Sequence, residues 1–410
     1  MAGLSSASVR LRLIAWVAAA GGSVASSLWT APTVVASAFL VAWGAEAAQF
    51  VISQGLALAL LAWLQTLPEF AVEAAIAWDA GRDPARLHFA IANLTGAIRL
   101  LLGFGWPVIF FVCAFARWRE GRRGSPLAPI RLARDHAVEV LGLIPGLLYW
   151  VLILWKGSAT VLDAIILLAL YGIYLWVLTG HPPHDTEQLT EAPPVARWAV
   201  RQRGWRRPAA IGGLFAVGGT VLFVCAHPLV ESLLGVALLL GVSQFFFIQW
   251  VAPVLSEFPE LVSTVNWARR VTHAPMALMN LVSSNINQWT VLAAMIPVVY
   301  GYSHWQHHGT WAPFPIDAGQ SVEIRLTLLQ TALGVMILLS MRFGALAAAT
   351  LLALWIVEVA VPSARGMVAI VYSIWMAILT IGYAVRPQYL KAPRDFWETL
   401  RARTRSAGLH

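Results

Sequence analysis

Two short stretches of this 410-residue chain set a carboxylate beside a proline within an apolar run: Leu67-Pro68-Glu69-Phe70 and Phe258-Pro259-Glu260-Leu261. Proline has no N–H and displaces the carbonyl one turn earlier, so it leaves backbone oxygen without a helical partner. A carboxylate in hydrocarbon is costly unless it is paired, protonated or bound to a cation. Carboxylates next to freed carbonyls are the ligand set of hard cations such as Ca²⁺ and Na⁺. Glu69 and Glu260 are therefore the candidate metal ligands.

Oxygen-bearing neighbours could complete the shell: Gln65 and Thr66 near the first motif, and Ser256, Ser283, Ser284, Asn285, Asn287 and Gln288 near the second. Asn93 is a further candidate. Glu73 follows Glu69 by one helical turn and Glu257 precedes Glu260 by three residues, so both extra acids lie near the motif faces. They could carry protons or neutralise a nearby cation. One such cation is Arg99, a permanently charged side chain inside an apolar run. Its expected partner is Glu69 or Glu73, with the guanidinium filling part of the ion space. Glu139, Asp163, Glu323 and Glu358 lie near other helices, where interfacial or helix-pairing roles are expected. A lone membrane proline is usually a kink and a lone Ser or Asn usually bonds a neighbouring helix; matched placement of the two Pro-Glu pairs is what points to function.

The elements that hold these residues must lie in lipid. The chain is 59% hydrophobic and 12% charged with mean hydropathy +0.70, whereas soluble domains carry about 25% charged residues. Apolar runs and their breakers predict twelve membrane helices, near 11–29, 33–50, 53–79, 86–115, 137–155, 160–179, 209–226, 233–267, 275–302, 322–340, 343–361 and 366–385. A net charge of +8 would suggest nucleic acid in a soluble protein, but the basic residues sit between apolar runs, and no nucleic-acid partner is expected. Under the positive-inside rule most of the 28 Lys and Arg fall on one side, with both termini cytoplasmic. The N-terminal run reads as an uncleaved helix rather than a signal peptide. Cys113 and Cys225 fall in separate helices near opposite faces and form no disulfide. His304, His307 and His308 fall in a predicted outer loop, 301–321, as solvated side chains.

A Pro-rich polar stretch, 180–208, reads as a cytoplasmic linker between similar halves. The expected organisation is an N-terminal flanking helix (1–32), a first repeat (33–179), the linker, a second repeat (209–361), and a C-terminal flanking helix with a basic tail (362–410). Five helices separate corresponding elements, an odd number, so the repeats enter the membrane in opposite orientations; such proteins place ion sites near the bilayer midplane. The fold class is an all-α integral membrane protein of two inverted five-helix repeats plus flanking helices.

The motifs resemble those of the sodium/calcium exchanger membrane region of the calcium/cation antiporter superfamily, which carries GTSLPEL followed by GNxxGSNIxN in each repeat. Matching segments are Leu64 to Phe70, Leu255 to Ser263, and Asn280 to Gln288; Gly44-Ala45-Glu46 and Val230-Glu231 resemble the opening of each repeat. The resemblance implies that Glu69 and Glu260 bind transported ions, helped by hydroxyls at Thr66 and Ser256 and by Ser284 and Gln288. The first partner motif, Asn93 to Leu101, departs: Ala97 and Leu101 stand where ligands are expected, and Arg99 is added. The implied function is a secondary antiporter moving Ca²⁺ or Na⁺ against Na⁺ or H⁺. The alternative is a transport-inactive exchanger fold serving as a cation sensor or complex subunit. No enzyme motif is present and no cofactor is expected beyond the transported cation; the other partner is the lipid bilayer. Arg-rich, Lys-poor composition suits a prokaryotic inner membrane.

Overall fold

The computed structural model describes residues 6–51, 66–121, 124–178, 189–190 and 192–407. Gln65 lies outside the described residues, as does most of the predicted helix before Pro68. The described residues are predominantly helical. In order, the principal helices are α1 Ser6–Ala48, α2 Leu67–Arg82, α3 Leu87–Leu100, α4 Trp106–Arg119, α5 Ala137–Lys156, α6 Val161–Leu178, α7 Pro194–Arg201 and α8 Arg206–Leu239. There follow α9 Ala252–Ala268, α10 Ala274–Asn287, α11 Ala293–His308, α12 Ala318–Leu338, α13 Ala345–Ala360, α14 Arg365–Val385 and α15 Ala392–Ala407. Eight helical stretches among the described residues are long and apolar enough to cross a membrane.

The helix pattern differs from the sequence reading in two places. The predicted pair 11–29 and 33–50 is one rod, α1, and the predicted 209–226 continues unbroken to Leu239 as α8. The prolines expected to break them, Pro32 and Pro228, lie inside continuous helix. Membrane helices tolerate such prolines because a neighbouring helix and local side chains re-satisfy freed backbone groups. Here the neighbours are each other: α1 packs along α8, with the Thr30 and Ser232 hydroxyls 3.1 Å apart. The real break falls at Leu240–Ser243, where Gly241 has φ +65°, a conformation glycine adopts without penalty. The count of twelve separate helices is therefore not reproduced.

Among the described residues, three five-residue π-helical turns interrupt the rods: Leu101–Gly105 between α3 and α4, Phe247–Val251 before α9, and Gln288–Leu292 between α10 and α11. Such turns are rare and favour functional sites. The first and third follow the two partner motifs at matching places. Two antiparallel ties also obey the inverted relation. Ile130–Arg131, between the third and fourth rods of the first half, pairs with Arg342–Phe343, between the fourth and fifth of the second. Ser158–Ala159 pairs with Phe314–Pro315 in the reverse sense. The histidines differ from expectation, since α11 runs on to His308 and carries His304, His307 and His308 in its last turns.

Candidate functional site

Pro68 sits in the first turn of α2, where a missing N–H costs nothing, and Thr66 is its N-terminal cap residue. Pro259 lies inside α9 and breaks the ladder at the carbonyl of Leu255. These helices bring four carboxylates to the middle of the protein: Glu69 and Glu73 from α2, Glu257 and Glu260 from α9, all buried. Glu257 lies between Glu69 and Glu260, within hydrogen-bonding reach of both. Carboxyl groups approach this closely only when protons or a cation lie between them.

Amides from the partner helices hold the acids. Asn93 donates to Glu73 at 2.6 Å, and Asn280 donates to Glu260 at 2.8 Å with the Ser284 hydroxyl on the same oxygen. The Gln288 amide, at the start of a π turn, donates to Glu69 at 3.1 Å and Glu257 at 2.8 Å, so one side chain bridges the repeats. Asn285 donates to the Gln288 carbonyl oxygen at 2.9 Å, and Asn287 donates to the Thr66 hydroxyl at 2.6 Å. Ser256 turns away, bonding the carbonyls of Ala252 and Pro253 in its own helix. Among the described residues, buried oxygens at the site without a donor include Glu69 Oε2, Glu73 Oε1, Glu260 Oε2, Asn93 Oδ1 and Asn285 Oδ1. A buried acceptor left unpaired is expensive, and oxygens of this kind are what a hard cation takes.

Motif spelling pairs Glu69 with Glu260, but the hydrogen bonds pair Glu73 with Glu260. Each accepts from the Asn twenty residues further along the chain. In that register Ala97 stands opposite Ser284 and Leu101 opposite Gln288, so the first half lacks two polar groups that the second supplies.

Arg99 is fully buried but does not face Glu69 or Glu73, and the expectation that it fills the ion space is overturned. Its Nη2 meets Glu323 Oε2 at 2.5 Å, its Nη1 lies 3.6 Å from Glu358 Oε2, and its guanidinium packs 5.0 Å from the Trp250 ring centre. Arg365 from α14 reaches Glu323 Oε1 at 2.6 Å, Gln249 bonds both Glu323 and Arg365, and Tyr372 donates to Glu358 at 2.9 Å. Two Arg and two Glu form a neutral network. The physical reason is geometric: a partner from α12 and one from α13 reach the guanidinium, whereas Asn93 and Gln288 already cover the motif acids. The signal missed in the sequence was the polar stripe Glu323, Thr327, Gln330 and Thr331 at helical spacing in an otherwise apolar helix, all of it buried.

A third polar cluster joins α2 to α8. Arg86 bridges Asp79, at 2.9 Å, and Glu231, and His227 Nε2 lies 3.3 Å from Asp79. Asp79, His227 and Glu231 could offer ligand atoms to a metal, but Arg86 already occupies both carboxylates. Glu46 on α1 accepts from the Ser263 hydroxyl of α9 at 3.3 Å, whereas Glu231 on α8 binds Arg86 in the turn after α2. Cys113 and Cys225 are free and buried.

A buried four-carboxylate centre between inverted helical repeats is the architecture of a membrane cation exchanger. Residues 22–180 and 211–363 match the model of the sodium/calcium exchanger protein family, and the chain belongs to that family. No curated protein matches it. Among solved structures it resembles the H⁺/Ca²⁺ exchanger CAX, at 27% identity and TM-score 0.82, covering 98% of this chain and 99% of that one. It shares its fold with the sodium-calcium exchanger NCX_Mj, at 18% identity and TM-score 0.50, covering 84% of this chain and 99% of that one.

Proposed function

We propose that this protein is a Ca²⁺/H⁺ antiporter whose single central site is read alternately by one Ca²⁺ and by protons. The observation that carries the proposal is the Glu69–Glu257–Glu260 chain of adjoining carboxyls with Glu73 beside it, several of whose oxygens lack donors. A divalent cation neutralises two carboxylates, and protons on the same groups neutralise them in its absence, so the two ligands compete for one set of oxygens. Several Na⁺ would need several shells, and the first partner motif has lost two groups, at Ala97 and Leu101, that could build them. The likeness to the H⁺/Ca²⁺ exchanger, which extends over 98% of the chain, favours the same ion pair.

The ion ligands in this reading are Glu69, Glu73, Glu257 and Glu260, with Asn93, Ser284, Asn285 and Gln288 orienting them; Thr66 acts through Asn287, and Ser256 only supports its helix. The transport-inactive alternative drew on Arg99 as a built-in cation and on Ala97; the network around Glu323 removes the first ground. The basic tail after α14 supports a cytoplasmic C-terminus, in a prokaryotic inner membrane. The test is a Ca²⁺ titration of purified protein in lightly buffered detergent with a pH indicator. Ca²⁺ binding should release protons and disappear in Glu260→Gln; binding with no proton release would refute proton exchange at this site.

A further inference from the structure

We propose that the Arg-rich end of α12, α13 and α14 binds one anionic phospholipid, its phosphate held by Arg342 and Arg386 and an acyl chain lying in the groove they cap. The groove, about 570 Å³, is lined by apolar side chains including Ile337, Leu346, Trp375, Ile378 and Leu379, with Arg342 and Arg386 at its mouth. It opens on the lipid-facing side of helices whose outward residues are exposed and apolar, as at Leu346, Ile378 and Ile381. A second cleft of about 490 Å³ adjoins it through Arg342 and is lined by Arg131, Arg134, Lys391 and Arg394 against a single carboxylate, Asp395.

The charges here are unbalanced. Glu398 takes Arg134 at 3.2 Å and Arg394 at 2.8 Å. Among the described residues no carboxylate lies in ion-pair range of Arg131, Arg342, Arg386 or Lys391. Arg131 and Arg342 are moreover direct cross-strand partners in the two-residue β tie. Like charges placed opposite each other are destabilising, and an anion between them converts the repulsion into attraction.

The rim is built rather than loose. The backbone N–H groups of Lys391 and Ala392 both donate to the Leu339 carbonyl, at 2.9 and 3.0 Å, and the Tyr383 hydroxyl donates to the Met336 carbonyl at 2.6 Å. The segment after α14 is thereby strapped across the end of α12. An apolar trough beside exposed apolar helix faces and under unpaired guanidinium groups fits a phosphate joined to a hydrocarbon chain; basic residues at a membrane face attract anionic headgroups. A soluble anion would use the cleft and leave the trough unexplained.

The experiment uses the full chain, delipidated in detergent, with native mass spectrometry and thermal melting after adding dioleoyl phosphatidylglycerol, dioleoyl phosphatidylcholine or inorganic phosphate. The wild type should retain one phosphatidylglycerol and melt higher with it, but not with phosphatidylcholine or phosphate. Arg342→Gln with Arg386→Gln should weaken retention by about thirtyfold, taking the usual headgroup attraction of each charge. Gly382→Trp fills the trough at a position where an added Cβ meets nothing within 4 Å, so it should block the lipid while leaving the fold intact. Equal retention of phosphatidylcholine, stabilisation by phosphate alone, or unchanged binding in Gly382→Trp would each overturn the proposal. None of these readouts depends on transport.

Discussion

Replacing Arg99 by Met separates two readings of the one intramembrane cation in the exchanger motifs. Arg99 neutralises Glu323 and Glu358, both buried, and among the described residues shares no hydrogen-bond partner with the four motif acids. Removing it leaves two carboxylates facing Arg365 alone, one uncompensated negative charge in a dry interior. Breaking a buried pair in this way costs about 3–5 kcal/mol, most of it the penalty of the stranded charge. Arg99→Met should therefore unfold at markedly lower denaturant or temperature. Combining it with Glu358→Gln restores a neutral network of Arg365 and Glu323, and should recover roughly half of the loss; with Glu358→Gln alone measured as well, the departure from additivity gives the Arg99–Glu358 coupling. Groups without shared partners couple by only a few tenths of a kcal/mol, so Ca²⁺ affinity should stay within about twofold of wild type. Two assays on the same preparations suffice, reversible unfolding in mixed detergent and a Ca²⁺ titration. A variant as stable as wild type but with Ca²⁺ affinity raised tenfold or more would show that the guanidinium fills the ion space after all, and would refute the reasoning.

Other expectations follow from single contacts. A Cβ on Gly96 would lie 1.8 Å from the Gln249 carbonyl oxygen and 2.7 Å from its carbon, so Gly96→Ala should yield little folded protein by size-exclusion chromatography; a normal yield would contradict the close helix approach. Asn93→Leu and Asn280→Leu each remove a hydrogen bond to a carboxylate, worth about 1.5–3 kcal/mol, and should perturb Ca²⁺ affinity by similar factors if Glu73 is the counterpart of Glu260. A large effect of Asn280→Leu with none from Asn93→Leu would restore Glu69 to that place. Ala97→Ser with Leu101→Gln gives the first motif the groups that Ser284 and Gln288 supply in the second, and should raise the number of cations bound at saturation.

The membrane class and inverted repeat were readable because each depends on features that survive without contacts: apolar run length, charge placement and two Pro-Glu pairs at an odd helix separation. The motif acids and Gln288 were readable because a carboxylate or amide in lipid needs a partner. Motif spelling made Glu69 the counterpart of Glu260, whereas the hydrogen bonds give that place to Glu73; the twenty-residue interval shared by Glu73–Asn93 and Glu260–Asn280 was present in the sequence. Helix ends at Pro32 and Pro228 were misplaced because proline signals a break only when no neighbouring helix supports it, and the long packing of α1 on α8 is a tertiary fact. Arg99 was assigned the wrong partner for a related reason. Charge demands a partner without saying which, and Glu323 and Glu358 lie more than two hundred residues away in sequence. Ser256, expected to face the ion, satisfies itself locally, as hydroxyls in helices commonly do.

The most direct test of the central claim is ⁴⁵Ca²⁺ uptake into proteoliposomes holding the purified protein, driven separately by a proton gradient and by a Na⁺ gradient. Glu260→Gln serves as the control. Uptake driven by the proton gradient, indifferent to Na⁺ and absent in Glu260→Gln, is the result the shared-carboxylate site predicts. Uptake driven by Na⁺ alone, or none under either gradient from protein that still binds Ca²⁺, would contradict it.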